Sequence, residues 1–494
     1  MTIVNPKSIS GINSITTGSG SDDLLTIHTN NGTERLRVDS TGATKIVTGI
    51  VTTLTATTGI VTSLEATTGD ITTLRAPTGI VTSLEATTGD ITTLRAPTGI
   101  VTTFVTNTAK VGAAVTITES GIEASGIGIT CANINGAQIG GRRNIVINGA
   151  MQIAQRGTSS VSQGYTTVDR FKTENLGVDE GPTRAQVDVA SGTTPYTLGF
   201  RKAYKITNGN NTSGAEAGDY HEIVYKTEAQ DMANSGWNYT SSSSYITLSF
   251  WVKASVAQNY YFRFQTKDGT SYNYPMETGS LSADTWTKIT KTIPGASNLQ
   301  IDNDNGEGPK IAWSLFKGTD FTASSVTLNQ WAAYADGTQT PDQTTTWWTT
   351  NDATFEITGV QLEVGSQATP FEHHSFGEEL ALCQRYYCHT YSYGVYPGAD
   401  YTVNGAARRG MLFNYRQRDT NYQAFCWSPP TEMRAVPTQT HYSMRGTAGK
   451  ASGSTTDYTV ATNTPHNGPS GVMCYGDNTV ANDGYVHFVL DAEL

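Results

Sequence analysis

The residues with the greatest capacity for binding chemistry are tyrosines and arginines that cluster between positions 391 and 418. Tyrosine supplies contact area at low conformational cost, and arginine binds carboxylates and phosphates through paired N–H donors. The mixture suits an anionic surface polysaccharide; the alternative is a strand-rich domain with tyrosines on its rim and arginines in solvent. The candidates are Tyr391, Tyr393, Tyr396, Tyr401, Arg408, Arg409, Arg416 and Arg418.

A pair of adjacent indoles, Trp347 and Trp348, is a second candidate binding site within a threonine-rich stretch. Adjacent residues of a strand face opposite sides, so one indole is expected in the core or in a subunit contact. The other could offer a flat apolar face with an N–H donor, which suits stacking against a sugar. Packing in the core or in a trimer contact is the preferred interpretation of the pair, and sugar stacking is the alternative. Tyr391 and Tyr393 would likewise share one face if their segment is a strand.

Two further clusters have the residue types of metal sites without the required spacing. The run from Asp302 to Glu307 has oxygen ligands, but a glycine occupies its fifth position, where an EF-hand loop needs a ligand. A polar loop is the preferred interpretation and calcium binding the alternative. His373 and His374 lie near Glu372 and Glu378, but adjacent strand residues point apart and cannot easily share one ion. No metal or other cofactor is predicted.

Catalytic signatures are missing from the sequence. It contains no GxSxG, HExxH or P-loop motif. The spacing of paired carboxylates for glycoside cleavage is spatial and cannot be obtained from the sequence. The prediction is therefore a protein without enzymatic activity.

A strict repeat determines the architecture that must position these residues. Residues 60–79 recur unchanged as residues 80–99, and within each block glycine returns every ten residues, with Val or Ile and then Leu in fixed register. A fixed period indicates one unit stacked along an axis. The apolar surface is too sparse for a single-chain core, so we expect residues 49–107 to form a β shaft of several chains; the alternative is a flexible linker.

Short elements flank this predicted shaft. Leu25 and Ile27 alternate with polar residues before an Asn31-Gly32 turn signal, and Leu36 and Val38 resume the alternation, which predicts a β-hairpin. The hairpin is too small to be stable alone and needs a partner. Residues 1–48 are assigned to this N-terminal segment, and residues 108–143 to the transition from shaft to head.

Strand-length alternation predicts a large β-sandwich over residues 144–372. The apolar parity is clearest at Ile246, Leu248, Phe250 and Val252, and it returns around residues 260–264 and 311–315. Phe355 and Ile357 have one parity whereas Val360, Leu362 and Val364 have the other, and Gly359 lies at the change. A β-bulge is expected there.

A capping box predicts one short helix after the sandwich. Ser375 and Glu378 have the required spacing, and the helix is expected to continue to about Tyr387 within a linker of residues 373–387. Residues 388–494 are expected to form a smaller β domain whose last strand spans residues 485–490.

Charge and cysteine usage exclude several classes of protein. The formal net charge of −11 argues against nucleic acid as the main partner, although a local basic patch is still allowed. The five cysteines lack zinc or CxxC spacing, which is typical of free thiols in a reducing compartment. With no signal-peptide pattern in residues 1–20 and no long apolar stretch, we expect neither secretion nor membrane insertion.

Several segments resemble the distal part of phage tail-fibre proteins, especially those of marine and cyanobacterial phages. These segments are RNIVINGAMQIAQRGTS at 143–159, YTTVDRF at 165–171, ITGVQLEVGSQATPFEHHSFGEELALCQRYY at 357–387 and the hairpin sequence at 24–42. The resemblance implies a homotrimer with an N-terminal virion anchor, a repeat shaft, a carbohydrate-module-like sandwich and a tip. It identifies no receptor-binding residues.

The predicted fold is therefore all-β: an elongated homotrimeric fibre with a decapeptide-repeat shaft, a jelly-roll-like sandwich and a smaller C-terminal β domain. Its expected partners are two further copies of itself, tail or baseplate adaptor proteins at the N-terminus, and a host surface glycan or envelope protein. We expect a virion protein, made in the host cytoplasm, that binds a host receptor during adsorption.

Two alternative functions would need features that differ from those of this sequence. A tailspike depolymerase that cleaves surface polysaccharide would need a long β-helix body, and the repeat is small and poor in acidic residues. A bacterial trimeric adhesin would need a signal peptide and a membrane anchor. The C-terminal domain, with its Tyr/Arg cluster, is the preferred contact element of the fibre.

Overall fold

A computed structural model describes most of the chain from residue 142 onward and several short strands before it. The described residues are 25–28, 34–38, 44–46, 108–110, 115–118, 121–124, 142–400, 416–417, 422–453, 456–462, 467–477 and 484–494. The chain divides into two compact units, Met1–Val105 and Thr106–Leu494. The predicted shaft over residues 49–107 lies almost entirely in the first unit and outside the described residues.

The described part of the first unit is one antiparallel sheet of β1 (Leu25–His28), β2 (Glu34–Val38) and β3 (Thr44–Ile46), in that order. Leu25 pairs with Val38, and Ile27 pairs with Leu36. The predicted hairpin is therefore confirmed. The second unit begins with a similar small sheet of β4 (Thr108–Lys110), β5 (Val115–Thr118) and β6 (Gly121–Ala124).

Two six-stranded sheets follow, and they pack face to face as a β-sandwich. The strands in chain order are β7 (Ser159–Ser160), β8 (Phe171–Leu176), β9 (Thr183–Asp188), β10 (Lys202–Thr207), β11 (Tyr220–Glu228), β12 (Tyr245–Ala254), β13 (Asn259–Gln265), β14 (Tyr272–Ser280), β15 (Thr287–Pro294), β16 (Glu307–Lys317), β17 (Ala332–Ala333) and β18 (Thr354–Val364). The first sheet has the order β15-β12-β18-β10-β9-β7 and the second β17-β14-β13-β16-β11-β8. Every ladder between these strands is antiparallel.

The sandwich core confirms the alternation seen in the sequence. Ile246, Leu248, Phe250 and Val252 of β12 are fully buried in one cluster with apolar residues of the second sheet. Phe250 meets the indole of Trp313 edge-on, with ring centroids 5.6 Å apart. Aromatic pairs in this geometry stabilise a core beyond the contribution of their buried area.

The predicted bulge at Gly359 is also confirmed. Ser249 pairs with Gln361 and Trp251 with Thr358, so two residues of β18 oppose one of β12. Gly359 has φ +62°, and a Cβ there would lie 2.6 Å from the Phe200 ring. Only glycine fits this position, because other residues would meet both backbone strain and a steric clash.

Helices are few and short in the described chain. They are α1 (Thr194–Thr197), α2 (Ala229–Ala233), α3 (Thr346–Thr349) and α4 (Phe376–Gln384), with a 3-10 turn at Asp336–Thr338. None of the described helices is long and apolar enough to cross a membrane. Both hydrogen bonds of the predicted capping box are present at Ser375 and Glu378. The helix ends at Gln384, before the predicted Tyr387, because Tyr387 starts the next strand.

The C-terminal region is a second β structure of eight strands: β19 (Tyr387–His389), β20 (Arg416–Gln417), β21 (Tyr422–Trp427), β22 (Thr438–Tyr442), β23 (Lys450–Ser452), β24 (Asp457–Thr462), β25 (Val472–Asp477) and β26 (His487–Asp491). They form sheets β19-β26-β22 and β20-β21-β25-β24-β23. A separate apolar cluster that includes Phe425, Trp427 and Phe488 fills their interior.

A network of buried charges joins the C-terminal residues to the sandwich. The Arg170 guanidinium, fully buried, ion-pairs with Glu493 and lies 3.5 Å from the centroid of the Tyr386 ring. Arg156 ion-pairs with Asp491 at 3.0 Å and with Glu493 at 3.3 Å. The end of the chain is therefore an integral part of the packing between the two β regions.

Candidate functional site

The adjacent tryptophans do not form a binding platform. Trp347 and Trp348 lie in helix α3, and both are fully buried. The Trp348 indole N–H donates to the Gly214 carbonyl at 2.7 Å, while Asn208 Nδ2 donates to the carbonyl oxygens of both tryptophans. Packing of the pair in the core is therefore confirmed, and the alternative of one exposed indole is wrong, because a helical turn directs both side chains inward where a strand would have separated them.

Tyr391 and Tyr393 lie in an irregular loop, so the condition for a shared strand face is not met. Tyr391 is buried and stacks on His487, with ring centroids 3.8 Å apart. Tyr393 is 43% exposed, its hydroxyl donates to the Gln152 carbonyl, and its ring packs edge-on against Phe376. Only Tyr393 therefore offers substantial aromatic surface to solvent.

The structure describes few of the other residues of the predicted Tyr/Arg cluster. Tyr396 is half-buried. Tyr401, Arg408, Arg409 and Arg418 lie outside the described residues, and Arg416 is described only as part of strand β20. The clustering of these arginines with the tyrosines stays a prediction.

A different aromatic surface lies on the solvent side of the first sheet. Trp251 has the outward parity of β12, opposite to the buried Phe250 and Val252, and its indole is half-buried. It pairs across the sheet with Lys288 of β15 and Thr358 of β18. Cross-strand partners share one face of a sheet, so these three side chains lie side by side.

A second half-buried indole, Trp286, lies directly before β15 and extends this surface. Trp251, Trp286, Tyr196 and Phe371 all pack against one small cluster that includes Phe200 and Ala203. Their inner edges are thereby held by the protein while their outer surfaces stay in contact with solvent. Rings fixed in this way lose little entropy when a ligand stacks on them.

Charged side chains occupy the next row of the same face. Glu356 of β18 pairs across the sheet with Lys253 of β12 and with Lys205 of β10. Lys253 Nζ lies 3.1 Å from a carboxylate oxygen of Glu356 and 5.2 Å from the centroid of the Trp286 ring. We name the tryptophan face as Trp251, Trp286, Lys205, Lys253, Lys288 and Glu356.

The tryptophan face was not predicted from the sequence, although the sequence contains a signal for it. Trp251 interrupts the polar parity of a strand whose other parity is entirely apolar. A large aromatic residue at this parity lies outside the main core and therefore indicates a second apolar contact surface on the outer side of the sheet. Trp286 gives no such signal, because it stands outside a strand.

The acidic loop and the histidine pair have structural partners. Asp268 accepts from the backbone N–H of Asp302, Asp304 accepts from that of Gly306, and Glu307 ion-pairs with Lys226 at 2.7 Å. These contacts are those of a polar loop. Among the described residues, no group of three or more acidic, histidine or cysteine side chains has a geometry that could hold a metal ion.

His373 and His374 lie outside any strand and have different surroundings. The His373 ring packs against Phe371, and its Nε2 is 2.9 Å from the Leu198 carbonyl oxygen. His374 Nδ1 is 2.7 Å from Glu379, and this hydrogen bond raises the pKa of His374.

Comparisons with known proteins yield distant likenesses only. No protein-family model matches the chain, and no curated protein matches it. Among solved structures, the enzymatically active domain of tailspike protein 4 from bacteriophage CBA120 is 10% identical with TM-score 0.24, and the match covers 45% of this chain and 21% of that chain. This chain thus spans about a fifth of the tailspike chain.

Two carbohydrate-binding structures match at similar levels. The family 11 carbohydrate-binding module from Clostridium thermocellum is 12% identical with TM-score 0.20, covering 43% of this chain and 98% of the module. The N-terminal cellulose-binding domain of Cellulomonas fimi β-1,4-glucanase C is 10% identical with TM-score 0.21, covering 44% and 99%. Likenesses this weak carry no argument about this chain.

Proposed function

We propose that this protein is a structural virion protein, a homotrimeric tail fibre that binds a host surface polysaccharide during adsorption. The observation that carries the binding part is the tryptophan face, where two anchored indoles lie among hydrogen-bonding and charged side chains. The repeat shaft and the tail-fibre resemblance of residues 143–159 and 357–387 support the virion part. The proposal moves the receptor contact from the C-terminal region to the sandwich.

The chemistry of the tryptophan face suits a sugar chain. The apolar C–H faces of a pyranose can stack on Trp251 and Trp286, as an indole offers a flat apolar surface. Hydroxyl groups of the sugar can accept hydrogen bonds from Lys253 and Lys288. Three copies of one weak site on a trimer would raise the avidity for a repeating polymer without any new contact.

The same face is not suited to cleavage of a glycosidic bond. Glycosidases of the usual kind place two carboxyl groups on either side of the scissile bond. The tryptophan face has one carboxylate, Glu356, which is buried and held by Lys253. We therefore propose binding without hydrolysis, and release of reducing ends from a bound polysaccharide would revive the depolymerase alternative.

The test is binding of the full-length protein to an array of bacterial surface polysaccharides and to the corresponding cells. Replacing Trp251 or Trp286 by alanine should weaken binding about tenfold or more, since aromatic anchors dominate contact energies. Phe376→Ala and Tyr393→Ala are matched controls, because these aromatic residues are 45% and 43% exposed outside the tryptophan face. Both control variants should bind like the unmodified protein.

Three results would contradict the proposal in different ways. Loss of binding in Tyr393→Ala alone would return the site to the Tyr/Arg cluster. A change of solution mass in Trp251→Ala would make the tryptophan face a contact between copies. A solution mass of one chain, 52.9 kDa, in place of three would refute the homotrimer.

A further inference from the structure

The charge of the tryptophan face is opposite to that of the whole chain. The face has three lysines, Lys205, Lys253 and Lys288, and one carboxylate, Glu356, whereas the chain has a net charge of −11. The lysines come from three different strands, β10, β12 and β15, and the sheet brings them onto one surface. The composition of the whole chain therefore does not explain the positive charge of this surface.

Within the described residues, one of the three lysines is neutralised by an ion pair. Lys253 ion-pairs with Glu356, which is 6% exposed. Within the described part of the chain, neither Lys205 nor Lys288 has a carboxylate within ion-pair distance. Lys288 is exposed and Lys205 half-buried, so both ammonium groups can meet a ligand without first breaking an internal pair.

The two lysines without an ion pair in the described residues lie on either side of the β12–β18 strand pair, Lys288 in the row of Trp251 and Lys205 in the row of Lys253 and Glu356. The strand order places β15 and β10 on opposite sides of β12 and β18, three strand spacings apart. This separation is about 14 Å at the usual spacing between neighbouring strands. Because Lys205 lies one row away from Trp251, a chain that meets Lys288, Trp251 and Lys205 in sequence would cross the sheet diagonally, over a length of more than one sugar unit.

We propose that the ligand of the tryptophan face is an acidic polysaccharide, with anionic groups that engage Lys205 and Lys288 while a sugar ring stacks on Trp251. This inference rests on the proposed function, since it names the chemical class of the ligand for that same site. Lysine is a flexible point charge with three donors and does not select one anion geometry. Carboxylate, sulfate and phosphate substituents share the chemistry that it recognises.

The experiment uses full-length protein and pairs of polymers that differ only in charge. The probes are polygalacturonate with its carboxyl-reduced form, and dextran sulfate with dextran, so that carboxylate and sulfate are tested separately. The double variant Lys205→Gln/Lys288→Gln leaves the Lys253–Glu356 pair intact. Lys267→Gln/Lys450→Gln is the matched control, because it removes the same charge outside the tryptophan face.

We expect at least one acidic polymer to bind and its neutral counterpart to bind far more weakly. The double variant should lose about tenfold in affinity, with the control unchanged, and binding should weaken as salt rises. Trp251→Ala should also weaken binding of the acidic polymer.

The other outcomes separate the two proposals. Equal binding of charged and neutral polymers, lost in Trp251→Ala and unaffected in the lysine variant, would overturn the acidic ligand and leave the polysaccharide-binding function intact. Equal losses in the lysine variant and its control would show non-specific attraction and overturn the assignment to this face. Absence of binding to any polysaccharide, here and on the array, would overturn both.

Discussion

The side chain of His221 is fully buried against the indole of Trp347, with ring centroids 5.8 Å apart. Neither ring nitrogen has a hydrogen-bond partner among the described residues. Burial, together with the nearby positive charge of Arg184, lowers the pKa of His221 to about 3. The unfolded chain binds a proton here at a higher pH than the folded protein, so the stability linked to this residue is lost as pH falls below the unfolded value of about 6.5.

Replacing His221 by phenylalanine should therefore stabilise the protein, and more so in acid. The phenyl ring removes an unpaired buried polar group, and this removal should raise the free energy of unfolding by about 1 kcal/mol. Urea unfolding at pH 7 and pH 5 should show the gain increasing at the lower pH. His373→Phe is the control, because His373 is exposed. A stability difference between His221→Phe and the unmodified protein that is the same at both pH values would contradict the predicted pH dependence.

At the scale of elements, periodic patterns predicted most of what the structure contains. The alternation of Ile246–Val252, the parity change at Gly359 and the capping box at Ser375 each depend on near neighbours, and each prediction is confirmed. Predictions that needed a tertiary environment were wrong. The burial of Trp347 and Trp348 depends on hydrogen bonds from Asn208 and to Gly214, distant positions that no local pattern connects.

The C-terminal residues provide the sharpest element-scale prediction. Glu493 is the ion-pair partner of the fully buried Arg170 and also pairs with Arg156. Replacing Glu493 by alanine leaves buried guanidinium charge uncompensated and should lower the free energy of unfolding by about 3 kcal/mol. Asp491→Asn is the control, since the Asp491 side chain is 41% exposed. This variant should lower the free energy of unfolding by less than about 1 kcal/mol.

Chemical denaturation monitored by circular dichroism measures both variants. Equal small effects would mean that the C-terminal residues pack loosely. This network also affects the choice of experiment, because removing residues 388–494 would expose Arg156 and Arg170 in the sandwich. Point variants on the tryptophan face are therefore more informative about binding than that truncation.

At the scale of the molecule, the repeat shaft is predicted from the sequence alone. The proposed binding surface of the head can be recognised only in three dimensions. The six residues of the tryptophan face come from β10, β12, β15, β18 and the residue before β15. Their sequence separation of up to about 150 positions explains why the sequence alone pointed to the compact Tyr/Arg cluster. Only sheet order brings Lys205 and Lys288 onto one face with Trp251.

Protection of individual tryptophans from oxidation tests the central claim most directly. N-bromosuccinimide oxidises accessible indoles, and mass spectrometry of peptides locates each product in the full-length protein, with and without a polysaccharide that it binds. The account predicts that Trp251 and Trp286 react in the free protein and are protected in the complex, whereas the buried Trp347 and Trp348 react in neither. Binding that leaves the oxidation of Trp251 and Trp286 unchanged would contradict it.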